Sequence, residues 1–224
     1  MTIKITCGIA TLKEREESFK QTIASLYPQV DRIYAVLTNY DEMPEWLSEL
    51  PKVIAIIGHN HIADSGKFMF IDICEGYYFG CDDDLWYPET YCETMIAAVD
   101  KYKCVITLHG KRFGKQTKNF REDYHLSMRC LGNAICDIPL HLGGAGVMAF
   151  HTGDFHPSIG DFLRPKMADL WISKAAAEAG VPIMGISHHK GWLKYMPPEN
   201  PIWDQPCDVE FQTGVINDFL KIIR

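Results

Sequence analysis

Tyr77-Tyr78-Phe79-Gly80-Cys81 runs without a charge straight into Asp82-Asp83-Asp84, and Leu85-Trp86-Tyr87-Pro88 follows. The apolar run has the length and aromatic content of a short buried strand. Pro88 suits the first position of a helix, where its missing N–H has no partner to lose. The three acids therefore fall at the carboxyl end of a strand, where open α/β sheets gather their ligands. Adjacent like charges repel, so solvent or a cation must neutralise them; a solvated acidic turn is the plain alternative. Carboxylate oxygens are hard ligands, suited to Mg²⁺ or Mn²⁺.

The chain on either side alternates strand and helix patterns. Ile3, Ile5, Cys7 and Ile9 alternate with smaller or polar residues and predict a first strand ending at Ala10-Thr11-Leu12. A charged helix follows with Phe19, Ile23 and Leu26 on one face, stopped by Tyr27-Pro28. Asp31 to Thr38 reads as a second strand, Pro44 opens a short helix, and Val53 to Ile57 predicts a third strand buried on both faces. Asp64-Ser65-Gly66-Lys67-Phe68 leads into a helix carrying Phe68, Ile71 and Cys74. After the acidic strand, Tyr91, Met95, Ala98, Val99 and Tyr102 form a core-facing helical stripe. Cys104 to Leu108 is the fifth strand. This alternation predicts an α/β class with a mostly parallel central sheet flanked by helices.

Regularity breaks between Gly110 and Pro139. Gly143-Gly144-Ala145-Gly146 then precedes a strand from Val147 to Phe150, either as a turn or to let a ligand approach the backbone. Met167 to Ala179 predicts a helix closed by Gly180. Asp169 lies in its first turn, where a carboxylate also complements the helix dipole. Pro182 to Ile186 is a last strand delivering Ser187-His188-His189, and Val209 to Ile223 a closing helix beyond a Pro-rich stretch (Pro197 to Pro206). His188 is a candidate ligand by its strand-end position; His59, His61, His141 and His151 carry no assignment. Trp192 is a candidate for stacking on a ligand, or for anchoring the core.

At 224 residues there is enough chain for one well-cored domain or at most two small ones. No apolar run approaches the roughly eighteen residues of a membrane span. The early charged run Lys13-Glu14-Arg15-Glu16-Glu17 predicts no signal peptide. The scattered cysteines read as reduced thiols of a cytoplasmic protein. A net charge of −7 argues against general affinity for nucleic acid. Lys111, Arg112, Lys115, Lys118 and Arg121 are the exception, in a segment free of acids from His109 to Arg121. That segment is either a solvated basic loop or a mobile flap that meets an anionic donor or acceptor.

Taken in order, these motifs resemble those of GT-A type glycosyltransferases, especially family 2-like members of bacterial and phage origin. The resemblance spans nearly the whole chain. It implies a single GT-A-like (Rossmann-like) domain over 1–224, with 1–109 as the nucleotide-binding half and 110–224 as the acceptor-binding half containing a mobile 110–139 segment. It implies hexosyl or pentosyl transfer from a nucleotide-sugar, UDP favoured, to a hydroxyl acceptor: a glycan, a lipid-linked glycan or a modified phage DNA. By this resemblance Thr11, Arg15, Asn39, Asp64, Lys67, Asp82 and Asp83 contact the donor. Asp82, Asp84 and His188 hold Mn²⁺ or Mg²⁺, Gly143, Gly144 and Trp192 meet the acceptor, and Asp169 is the general base of an inverting reaction. Ala168 departs from the pattern, because family members often carry a second acid there. His188-x-x-Gly191-x-x-Lys194 echoes a motif of retaining enzymes and keeps the stereochemistry open. Two alternatives stand beside this reading: an inactive nucleotide- or glycan-binding module, and a sugar nucleotidyltransferase. Against the latter, Ala10-Thr11-Leu12-Lys13-Glu14-Arg15 lacks the glycine-rich loop such enzymes carry after the first strand.

Overall fold

The computed structural model describes residues 4–58, 63–197 and 206–223. His59 and His61, and most of the Pro-rich stretch, lie outside these residues. Strands β1 (Ile5–Leu12), β2 (Arg32–Thr38), β3 (Val53–Gly58), β4 (Tyr77–Cys81), β6 (Val105–Thr107), β9 (Ile138–Leu140), β11 (Val147–His151) and β12 (Ile183–Gly185) form one sheet. Its order is β3-β2-β1-β4-β11-β6-β12-β9. All neighbouring pairs are parallel except those made by β11 and β9, which run against the rest. The mixed α/β class with a mostly parallel sheet is therefore the class the sequence pattern predicts.

Register brings the carboxyl ends of these strands to one edge. Leu12 pairs with Thr38 and Ile9 with Cys81, so β1, β2 and β4 finish side by side. Because β11 is reversed, its first residue, Val147, pairs with Cys81. Gly146 and Asp82 thus become neighbours across the sheet edge.

The period-2 alternation of the strands feeds two layers. Tyr77, Phe79 and Cys81 of β4 face a core shared with helices α1 (Glu16–Leu26) and α2 (Tyr91–Tyr102). Tyr78 faces the other way, with Phe68, Met148, Phe150 and helix α3 (Ala168–Glu178). Phe19, Ile23 and Leu26 are all buried, as the spacing predicts. Gly180, at φ +69°, ends α3. Helix α4 (Val209–Leu220) packs Ile216 and Phe219 against Leu170 and Ala177 of α3 and against Phe113.

Four local expectations are corrected. β3 is a sheet edge, not a strand buried on both faces: Ile54 and Ile57 are 39% and 44% exposed. The 64–74 stretch is no α-helix; Ala63–Phe68 and Ile71–Ile73 are 3-10 turns lying flat on the sheet. Gly8 makes this possible, since a Cβ there would fall closer than 3.0 Å to the Lys67 carbonyl oxygen. Pro88 stands three residues before α2, and its carbonyl accepts from Tyr91 N. The delay comes from Leu85–Trp86 (β5), which pairs with Lys194–Tyr195 (β13) in a two-stranded ribbon. Finally, the 110–139 stretch contains β7 (Gly110–Arg112) and β8 (Leu126–Met128), joined with β10 (Leu142–Gly143) in a three-stranded sheet.

All eight cysteines are free. No helix among the described residues is long and apolar enough to cross a membrane.

Candidate active site

The strand ends open into a cleft of ≈ 720 Å³. Thr11, Arg15, Asn39, Asp64, Lys67, Asp82, Asp83, Asp84 and Asp169 all line it. Residues scattered over most of the chain meet there because the register aligns their strands and α3 begins at the same edge.

The three aspartates have different surroundings. Asp82 follows β4 directly, and its N–H is held by the Tyr87 hydroxyl (2.8 Å) and Gly146 O (3.2 Å). Tyr87, itself buried, donates to Gly146 O at 2.6 Å and ties the two backbones together. A Cβ at Gly146 would fall closer than 3.0 Å to all three carboxylate atoms of Asp82, so the acid needs glycine opposite it. The Asp82 side chain is 42% exposed and pairs with Lys67. Asp83 turns inward, 4% exposed, and Arg15 Nη1 meets it at 3.1 Å. Burial raises its pKa while Arg15 and the Thr11 hydroxyl oppose the rise. Asp84 lies 3.7 Å from the same Arg15 nitrogen. Burial, then the charges of Asp82 and Asp83, push its pKa up to about 7, against Arg15 and Lys67.

Lys67 is 5% exposed. Burial disfavours its ammonium, but Asp82 and Asp64 outweigh that and raise its pKa. Asp64 accepts from Ala168 N at 2.9 Å through Oδ2, while its buried Oδ1 has no hydrogen-bond partner among the described residues. The start of α3 is therefore capped in trans, one residue before Asp169.

Asp169 accepts from Ala145 N at 2.7 Å through Oδ1. Its side chain is open to the cleft but surrounded by protein on its other sides, and burial raises its pKa against the Ala145 N–H and Lys67. Ser173, one turn further on, donates to Asp169 O (2.6 Å) and accepts from Gly143 N (2.9 Å), which links α3 to the glycine run. Asn39 adopts φ 65°, a left-handed conformation asparagine tolerates, at the end of β2. It reaches Glu14 Oε1 at 3.5 Å.

Four expected residues sit elsewhere. His188 is buried with Nδ1 at Ile186 O (2.9 Å) and Nε2 at Arg129 O (3.1 Å), so neither ring nitrogen is turned to a metal. Trp192 is half-buried against the core, 6.0 Å from the Tyr91 ring centre. Gly143 and Gly144 are buried and make room for protein: Met148 and Ile183 crowd the first, His109 the second. Conversely, Glu14, Phe120, Lys166, Gln212 and Ile216 line the cleft without having been singled out for it. The amphipathic face of α4 was the signal for Gln212 and Ile216; nothing in the local pattern marked Lys166.

The donor set fits a hard divalent ion held partly by its ligand. Among the described residues no three His, Cys, Asp or Glu side chains converge as a complete metal shell. Asp82 and Asp84 supply two carboxylates, and Mg²⁺ commonly takes one or two together with substrate phosphates.

No protein-family model matches the chain, and no curated protein matches it. Among solved structures, the fold is similar to that in the crystal structure of S. aureus TarS 1–349, with a TM-score of 0.45 and 10% identity. The similarity covers 82% of this chain and 58% of the TarS chain. This chain therefore spans less than two thirds of that structure. A likeness at this level concerns the fold and carries nothing about chemistry.

Proposed function

We propose that the chain is a glycosyltransferase moving a sugar from a nucleoside-diphosphate donor, UDP favoured, to a hydroxyl acceptor with inversion. The observation that carries the reading is the gathering of nine expected donor, metal and base residues in one cleft at the carboxyl ends of parallel strands. Asp82 and Asp84 would hold Mg²⁺ or Mn²⁺, whose contribution when bound is to neutralise the departing diphosphate.

The chain's own residues divide the remaining work. Lys67 and Arg15 add fixed positive charge beside the aspartates. Thr11 and Asn39, at the ends of β1 and β2, line the side of the cleft that takes the nucleoside. The acceptor oxygen attacks the anomeric carbon as the bond to the diphosphate breaks. The acceptor proton goes to Asp169 Oδ2, because Oδ1 is engaged by the Ala145 amide. A correctly placed base of this kind contributes roughly a hundred- to ten-thousandfold.

The test is nucleotide release from UDP-, GDP-, CDP- and dTDP-sugars with Mn²⁺, alongside UDP titration. Asp84→Asn should abolish the metal-dependent part of UDP binding. Asp169→Asn should keep UDP binding and lose transfer by about a hundredfold or more. Wild-type transfer by Asp169→Asn would refute the base assignment. Tight UDP binding with no release from any sugar donor would make the chain a nucleotide-binding module.

A further inference from the structure

Asp169 can meet an acceptor only if the start of α3 is held in place, and the helix does little to hold it. Ala168 and Asp169 are its first two residues, and Met167 before them makes no side-chain cap. The first N–H groups of a helix have no intrahelical partner. Ala168 N finds one 104 positions back along the chain, in Asp64 Oδ2 at 2.9 Å. The turn that brings Asp64 there, Ala63–Phe68, is the one that also delivers Lys67. Backbone on both sides of the contact is left-handed without glycine: Ala63 has φ 45° and Lys166 φ 60°. Such conformations persist where their surroundings over-determine them, and they gather at functional sites.

The resemblance implies that Asp64 contacts the donor, but neither of its oxygens is free to do so. Oδ2 is engaged by Ala168, and Oδ1 is buried with no hydrogen-bond partner among the described residues. Capping alone does not call for this residue, since asparagine accepts from a helix N–H equally well and leaves no charged oxygen unpaired. What aspartate adds is a negative charge beside the base. Burial raises its pKa, Lys67 and then the Ala168 N–H oppose the rise, and the charges of Asp169 and Asp82 add to it.

We propose that Asp64 is a positioning residue of the transfer step, which ties the first turn of α3 to the Lys67 turn so that Asp169 faces the acceptor, and which does not touch the donor. The proposal rests on the glycosyltransferase reading above. Asp169 is then held at three points: Asp64 on the preceding amide, Ala145 N on its Oδ1, and Ser173 on its carbonyl. Two of these reach α3 from other parts of the chain, so the base keeps its place relative to Lys67 and Asp82 rather than following the helix end.

Hydrogen exchange on the wild type, followed by NMR, is the first test. The Ala168 amide should be protected, although an N–H at that helix position ordinarily is not, and it should stay protected when UDP and Mg²⁺ are added. An unprotected Ala168 amide overturns the proposal. So does protection that disappears with UDP, which would mean that Asp64 turns to the donor. Nucleotide release is the second test, with the sugar donor that the wild type turns over. Asp64→Ala should lower kcat by about tenfold or more, because a misplacement of about 1 Å can cost about a hundredfold. Its UDP affinity should weaken by no more than about twofold. Asp64→Asn keeps an oxygen for Ala168 N and should release nucleotide at least about threefold faster than Asp64→Ala. Equal rates for the two variants, or a loss in UDP affinity that matches the loss in rate, overturn the proposal. The exchange measurement decides even if Asp64→Ala does not fold. If the wild type releases nucleotide from no donor, the transferase reading has failed and this role falls with it; an active wild type matched in rate by Asp64→Ala sinks the positioning role alone.

Discussion

Gly146→Ala adds one methyl group and removes no functional atom, yet it should disable the aspartate corner. The new Cβ would fall closer than 3.0 Å to Oδ1, Oδ2 and Cγ of Asp82, nearer than side chains approach one another. No unusual φ is involved, so the backbone conformation suits alanine, and the nearest conflict is with the carboxylate. Asp82 is 42% exposed and can swing outward, at the cost of its contact with Lys67. A charge-assisted hydrogen bond is worth about 1.5–3 kcal/mol. Exposure on the Asp82 side, and the remaining charges of Asp64 and Asp169 near Lys67, reduce this to about 1 kcal/mol. In a chain of this length that lowers Tm by roughly 2–4 °C. The larger effect falls on binding: under the function proposed above, one of the two carboxylates that would hold the metal is displaced, and Mn²⁺-dependent UDP affinity should drop at least about tenfold, or 1.4 kcal/mol. Calorimetric unfolding and UDP titration with and without Mn²⁺ measure the two effects. Wild-type values in both would refute the account of why Asp82 stands where it does.

Three further outcomes follow from the same geometry. Asp84 has its pKa raised to about 7, so the folded state holds its proton more tightly than the unfolded chain. Its contribution is fully present below the unfolded carboxyl pKa and is lost as pH rises through about 7. Unfolding midpoints of wild type should therefore decline between about pH 4 and pH 7 more steeply than those of Asp84→Asn, and parallel curves would refute the shift. Tyr87→Phe removes the hydroxyl that bridges Asp82 N and Gly146 O, at about 1–3 kcal/mol in denaturant unfolding, with weaker UDP binding. Ser173→Ala leaves the Gly143 N–H buried without its acceptor; about 1–3 kcal/mol is expected, and an unchanged midpoint would mean the loop does not depend on α3.

Much of the fold was legible because its signals are local. The β4 residues Tyr77–Cys81 carry no charge and end at an acid, and the strand occupies those residues. Tyr91, Met95, Ala98 and Val99 of the α2 stripe are buried as spaced, and Tyr102 is half-buried at its end. What escaped depends on partners far along the chain. Val53 to Ile57 reads as a central strand, yet no neighbour covers its outer edge among the described residues. Pro88 reads as a helix start, yet Leu85–Trp86 is drawn into pairing with Lys194–Tyr195, over a hundred positions away. Gly66 and Lys67 read as helix entry, yet the turn is set by Gly8 on another strand and by Tyr78, whose hydroxyl donates to Lys67 O at 2.5 Å.

The candidate site divides along the same line. Residue type alone pointed to the carboxylates and cations, since buried charge in an α/β protein must be gathered where solvent or a ligand can reach it. Type alone could not say which way a side chain turns. Asp83 is the most buried of the three and meets Arg15 at 3.1 Å, while Asp84 lies 3.7 Å from the same nitrogen and Asp82 pairs with Lys67 on the more open side of the corner. His188 failed for the opposite reason: its strand-end position was right, but two backbone carbonyls already engage its ring. The glycines after 142 read equally as a plain turn or as room for a ligand beside the backbone. At Gly146 the space is filled by Asp82 itself, so that position acts on the chemistry by admitting a carboxylate rather than a sugar.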